Sequence, residues 1–178
     1  MTLFCLTQSA ALRPFKAARR FGERRGGRLV TEISKLTAED VPAVAALERE
    51  CFSLPWSERS LFESLAEASS VFLKAVFCGE LVGYIGANVI CGEGYVTNVA
   101  VTKNQRRKGN AERLLLECER LCRERGAQFL SLEVRKSNLP AVSLYEKCGY
   151  SVCGERRNFY SEPREDALIM TKYFGQTA

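Results

Sequence analysis

The chain of 178 residues contains no histidine. That absence removes Ser-His and Cys-His nucleophile pairs and takes away the usual nitrogen ligand of a catalytic zinc site, so no metal is expected. Proton transfer must use Glu, Asp, Tyr, Cys, Lys or water. Long apolar runs are missing too. The longest candidates, residues 71–78 and 81–91, are broken by Lys74, Gly83 and Asn88, well short of the roughly 18 residues that suggest a membrane span. No membrane association is expected, and the chain reads as cytoplasmic. Eight cysteines include no CxxC and fall mostly within apolar periodic stretches. Buried free thiols fit this better than a disulfide framework. No internal repeat is present.

What is present suits one compact domain, with 46% hydrophobic residues and length enough for its own core. The net charge of +5 is unevenly placed: residues 1–28 hold seven Arg or Lys and one acid, leaving 19 bases and 20 acids for residues 29–178. Residues 1–28 read as a basic, disordered extension or the product of an over-long gene start. An organelle-type transit peptide is the alternative, although Ser is scarce. With the body near neutral, direct nucleic-acid binding is not expected.

Periodicity orders the rest. Val30, Ile33 and Leu36 suggest a strand. Thr37 with Asp40 three residues on can start a helix that runs to about Cys51. Phe52-Ser53-Leu54-Pro55-Trp56-Ser57 interrupts it, and Ser57 can cap a second helix through Leu61 and Leu65. Residues 71–78 and 81–91 read as strands joined by a Gly79-Glu80 turn, and 94–101 as a third. From Arg107 a helical stripe of Ala111, Leu114, Leu115, Cys118, Leu121 and Cys122 runs to a stop at Gly126. Residues 129–135 alternate as a strand, with Leu130, Leu132 and Val134 on one face and Glu133 on the other. Asn138 caps a further helix that ends at Gly149. Two strands, 150–160 and 167–173, flank a polar turn at 161–166.

The segment Val99-Ala100-Val101-Thr102-Lys103-Asn104-Gln105-Arg106-Arg107-Lys108-Gly109-Asn110-Ala111 passes from a strand through a basic loop into a helix. Backbone N–H groups at a helix start bind phosphate oxygens, and small residues let the backbone approach closely. The loop lacks the GK[ST] element of a Walker loop and has one glycine where a dinucleotide fingerprint has three. It therefore reads as an anion cradle of another kind.

This Arg106-Arg107-Lys108-Gly109-Asn110-Ala111 loop resembles the acetyl-CoA pyrophosphate loop of the GNAT superfamily. The resemblance continues through Leu132-Glu133-Val134-Arg135, Ser137-Asn138, Leu144-Tyr145-Glu146, Gly149-Tyr150, Arg157-Asn158-Phe159-Tyr160 and Arg164-Glu165-Asp166-Ala167. The Pro55-Trp56-Ser57 region and the rear segments resemble the RimI-type branch, the ribosomal-protein-alanine N-acetyltransferases. The resemblance implies an α+β fold: a mixed, mainly antiparallel central sheet flanked by helices, splayed in the middle to admit the pantetheine arm, and covering residues 29–178. It implies acetyl-CoA as co-substrate and the N-terminal alanine of ribosomal protein bS18 as acceptor. It also implies backbone contacts to the arm from Val99, Ala100 and Val101, pyrophosphate binding by Arg107, Lys108, Gly109, Asn110, Ala111 and Glu112, and a further contact from Asn138. Glu133 becomes the general base and Tyr145 the general acid, with carbonyl polarisation by backbone N–H near Asn98 and Val99. Glu112, an acid beside a polyanion, is expected to point away or to weaken the site. Transfer to lysine side chains or small amines, or a silent acyl-CoA-binding module, are the rival readings.

Overall fold

The computed structural model describes residues 24–25 and 28–175. Most of the expected basic extension lies outside them, but its end carries structure: β1 (Arg24–Arg25) pairs antiparallel with β2 (Arg28–Leu29). The body follows as β3 (Glu32–Lys35), α1 (Val41–Cys51), α2 (Glu58–Ala66), β4 (Ser70–Phe77), β5 (Glu80–Ile90), β6 (Glu93–Val101), α3 (Asn110–Glu124), β7 (Phe129–Arg135), α4 (Leu139–Lys147), β8 (Ser151–Ser161) and β9 (Arg164–Tyr173).

Local chemistry accounts for most of these boundaries. Asp40 accepts the Thr37 N–H at 2.8 Å, closing a short turn (Ala38–Asp40) that leads straight into α1. Ser57 Oγ takes the Ser60 N–H at 3.1 Å and starts α2; Asn138 Oδ1 takes the Ala141 N–H at 3.4 Å and starts α4. The two front hairpins turn on Cys78-Gly79 and Cys91-Gly92, all four residues at positive φ, as a two-residue turn matched to strand twist requires. The first turn therefore lies one residue earlier than Gly79-Glu80, and Glu80 pairs with Phe77 inside the ladder.

Three further expectations are corrected. α3 starts at Asn110, three residues after Arg107, because Arg107 (φ +61°) and Gly109 (φ +80°) are left-handed and cannot belong to a right-handed helix. The polar stretch 161–166 is a turn only at Glu162-Pro163; β9 begins at Arg164 because Arg135 and Glu165 pair across it at 3.1 Å. Of the cysteines, Cys5 lies outside the described residues, and the other seven are only partly buried. Cys118 and Cys122 are in the core and Cys51 and Cys148 half-buried, but Cys78, Cys91 and Cys153 are exposed, the first two because they occupy the hairpin turns.

Seven strands form one sheet in the order β3-β4-β5-β6-β7-β9-β8, antiparallel at every junction except β6-β7. One face packs on α1 and α2 through Phe72, Tyr84 and Ala100 against Val44, Ala45 and Leu61. The other packs on α3 through Leu73, Ile85 and Val96 against Leu114, Leu115 and Cys118. Alternation along each strand feeds both cores.

The parallel junction positions the site. β6 and β7 pair only over Glu93, Gly94 and Tyr95 with Phe129, Leu130 and Ser131, and then separate. Close approach at that junction requires a missing side chain: a Cβ on Gly94 would lie 2.6 Å from Leu130 Cδ1 and 2.8 Å from the Phe129 carbonyl oxygen. Gly94→Ala is expected to destabilise the fold by about 1–3 kcal/mol, because the backbone oxygen cannot yield as a side chain can. A lowered urea midpoint checks this, and an unchanged midpoint contradicts it.

Candidate active site

Beyond Tyr95 and Ser131 the facing edges of β6 and β7 have no strand partner in each other. Thr102 N donates to Val82 O at 2.9 Å, across to β5. Strand alternation then turns the backbone groups of Ala100 and Asn98 to β5 and those of Val99 and Val101 to the opening. Ala100, expected to contribute its backbone, faces the wrong way; its side chain fills the α1–α2 core. Of the Asn98 and Val99 N–H groups, only that of Val99 faces the opening. A bulge leaves Thr97 unpaired between Val96 and Asn98, bending β6 where the gap widens.

At the end of β6 the basic loop folds back on its strand. Arg106 Nε donates to Val101 O at 2.9 Å, and its Nη2 reaches Cys51 Sγ at 3.5 Å. Left-handed Arg107 and Gly109 then aim the chain into α3. A Cβ on Gly109 would meet nothing within 4 Å, so its backbone conformation, rather than space, is what suits glycine. The first intrahelical bond is Arg113 N to Gly109 O, and no side chain caps the start. The N–H groups of Asn110, Ala111 and Glu112 therefore stand free of helical partners at the positive end of a 15-residue helix. The Asn110 side chain is tied on both sides, accepting from Thr31 Oγ1 at 2.7 Å and donating to Gln105 O at 2.9 Å, and does not cap its own helix. Glu112 turns to α4, where Lys147 Nζ lies 2.7 Å from its carboxylate. Its charge is thus offset by the Lys147 ammonium. Lys108 is exposed at the rim.

On β7, Glu133 combines burial with incomplete satisfaction. Its side chain is 8% exposed; Oε1 accepts from Arg156 Nη1 at 2.7 Å, while buried Oε2 has no partner among the described residues. Arg156 itself is half exposed and stacks over Phe159, 4.3 Å from the ring centroid. Tyr145, on α4, is buried against Tyr150 with ring centroids 5.9 Å apart. Burial, reinforced by the neighbouring Tyr160 phenol, pushes the Tyr145 hydroxyl well above the ordinary tyrosine value, so it keeps its proton at any physiological pH. Tyr160 links the two candidates, since its hydroxyl also reaches Glu133 O at 3.4 Å. Asn138 uses Oδ1 in capping α4.

The loops at the mouth are tied together. Ser53 Oγ donates to Glu162 O, joining the segment before Trp56 to the β8-β9 turn. Arg135 holds that same turn through Glu162 O at 2.7 Å and Pro163 O at 2.9 Å, with its guanidinium 4.1 Å above the Tyr160 ring. Sequence reasoning missed Arg156 and Arg135 as partners, because the carboxylates they pair with, Glu133 and Glu165, lie 23 and 30 residues away. It also missed Glu48, which is fully buried and accepts from Trp56 N, Tyr84 Oη and Asn98 Nδ2. A signal existed: Val41, Val44, Ala45 and Glu48 share one helical stripe, so a carboxylate sits on the apolar face. Among the described residues, no three His, Cys, Asp or Glu side chains converge as metal ligands, and no helix is long and apolar enough to cross a membrane.

The chain is similar to known proteins in sequence and fold. Residues 41–150 match the acetyltransferase (GNAT) family. A Bacillus subtilis protein is 36% identical over 139 residues, which are 78% of this chain and 92% of its own. The ribosomal protein bS18-alanine N-acetyltransferase of Escherichia coli strain K12 is 34% identical over 140 residues, 78% of this chain and 94% of that one. The crystal structure of the ribosomal-protein-S18-alanine N-acetyltransferase from Escherichia coli superposes with a TM-score of 0.75 at 30% identity, covering 84% of this chain and 99% of that one. With an uncapped helix start behind a splayed sheet and these relatives along nearly their whole length, the chain belongs to the acetyltransferase (GNAT) family and is an acetyl-CoA-dependent N-acetyltransferase.

Proposed function

We propose that the protein transfers the acetyl group of acetyl-CoA to the α-amine of an N-terminal alanine, that of ribosomal protein bS18, in the cytoplasm, with residues 29–178 as the transferase unit. One observation carries the reading of the site. An anion-seeking helix start follows β6, and a buried carboxylate with one oxygen unpartnered among the described residues stands on β7, the two strands that border a single opening. The acceptor follows from the 34% identity to the Escherichia coli bS18-alanine enzyme along 94% of its length.

In this reading the N–H groups of Asn110, Ala111 and Glu112, with the Arg107-Lys108-Gly109 loop, hold the pyrophosphate. Val99, together with the N–H of Val101, binds the pantetheine arm at the edge where a strand would otherwise pair. Asn138 lies near that arm. The acceptor's N-terminus enters between the Trp56 loop and the β8-β9 turn, which Ser53 and Glu162 join. The neutral amine attacks the thioester carbon and the C–N bond forms, while the Val99 N–H stabilises the developing oxyanion. The proton leaving nitrogen passes through water to Glu133, whose Oε2 has no other demand on it. Collapse breaks the C–S bond, and the departing thiolate takes the phenolic proton of Tyr145, which solvent restores. The transfer is direct, with no acyl-enzyme.

Two measurements test this. In a thiol-release assay with acetyl-CoA and an Ala-starting basic peptide, Glu133→Gln and Tyr145→Phe are each expected to lower kcat by about 10²- to 10⁴-fold, the range general acid–base catalysis contributes. Undiminished turnover in either variant removes the role assigned to that residue. The same peptide blocked at its α-amine, with its lysines intact, should accept no acetyl group; acetylation of the blocked peptide would reassign the enzyme to lysine side chains.

A further inference from the structure

Glu48 is the one fully buried carboxylate among the described residues, and no Lys or Arg among them pairs with it. A buried carboxylate without a cation is costly unless hydrogen bonds saturate it. Three do so. Oε2 accepts the backbone N–H of Trp56 at 2.8 Å, and Oε1 accepts Asn98 Nδ2 at 3.1 Å together with the Tyr84 hydroxyl. Burial, strengthened by the adjacent Glu48, pushes the Tyr84 phenol far above the ordinary tyrosine value, so Tyr84 remains a donor to this carboxylate.

These donors belong to different parts of the site. Trp56 lies in the loop at the acceptor mouth, eight residues beyond Glu48. Asn98 sits directly beside the Thr97 bulge and directly before Val99, whose backbone faces the opening. Tyr84 anchors both to the middle of the sheet, where it pairs with Ala100. One carboxylate therefore sets the distance between the acceptor loop and the strand that receives the thioester. An apolar residue at this point of the α1 stripe would fill the same core yet leave the Trp56 N–H and the Asn98 amide without this common reference.

We infer that Glu48 is a positioning residue that couples the acceptor side of the site to the acetyl side by fixing Trp56 and Asn98 to one carboxylate. It touches neither substrate; it sets the angle and distance at which the amine meets the carbonyl. The inference rests on the proposed entry of the acceptor past Trp56.

Glu48→Gln tests it at nearly constant volume, because an amide turns one acceptor oxygen into a donor facing donors. With acetyl-CoA and the Ala-starting peptide, kcat is expected to fall about a hundredfold even with both substrates saturating, the scale of a roughly 1 Å misplacement, while the KM for acetyl-CoA stays unchanged. Asn98→Ala, which cuts the same network from the strand side, should give a similar loss, and the double variant should be no worse than Glu48→Gln alone. Parent-like kcat in Glu48→Gln, or losses that multiply in the double variant, overturn the inference. So does a loss that arises from weakened acetyl-CoA binding. Should Glu48→Gln fail to fold, Asn98→Ala and Tyr84→Phe carry the test: a fall in kcat at constant acetyl-CoA KM supports the coupling, and parent-like kcat in both refutes it. The unaltered protein is assayed first with the same peptide. Absence of turnover there defeats the proposed function, whereas turnover with an indifferent Glu48→Gln defeats only this inference.

Discussion

The rest of the site depends on how briefly β6 and β7 pair. Three residue pairs close the sheet between its two halves, and beyond them the facing edges of both strands have no strand partner in each other. Unpaired strand edges are a liability in most proteins because they invite any extended chain. Here the liability is confined to a cleft whose floor is the junction itself and whose walls are held apart by different cores. The β6 wall is clamped between α1 on one face and α3 on the other. The β7 wall is locked to β9 over seven consecutive pairs from Phe129 to Arg135. The gap thus persists as a consequence of packing on both sides of it.

Three carboxylates near this architecture show how partner choice assigns different work to similar burial. Glu119, on α3, pairs with Lys172 of β9 and ties a helix to the sheet. Glu48 is saturated by neutral donors and ties a loop to a strand. Glu133 is paired on one oxygen with a half-exposed arginine and left open on the other. A buried polar atom without a partner costs free energy. Glu119 Oε1 is likewise without a partner among the described residues, so what distinguishes Glu133 is its place on β7, a strand that borders the opening.

The caps and strand faces were legible because their causes are local. Ser57 with Ser60, Asn138 with Ala141 and Thr37 with Asp40 close rings within three residues, and the alternation of residues 129–135 follows from the pleat alone. The errors have local form but distant cause. Arg107 belonged to the helical pattern by composition, yet the loop's path from Arg106, pinned on Val101, into the cradle forced it left-handed. Residues 164–166 were polar enough for a turn, yet Arg135 supplied the partner that made them strand. Cys78 and Cys91 extended apolar runs, yet the chain reversed at them and left their thiols exposed.

By itself the sequence determined the order of elements, the helix starts that depend on neighbouring side chains, the basic small-residue loop ahead of α3 and the family that these patterns resemble. Short-range hydrogen bonds and periodic burial need no knowledge of the rest of the chain. Tertiary structure alone decided which backbone groups of β6 face the opening, which oxygen of Glu133 is free, that Glu112 is answered by Lys147, and that Glu48 joins Trp56, Tyr84 and Asn98. Each of those outcomes sets partners across the sheet or between layers, up to 50 residues apart for Glu48, and the direction of a hydrogen bond at such separation is fixed by packing.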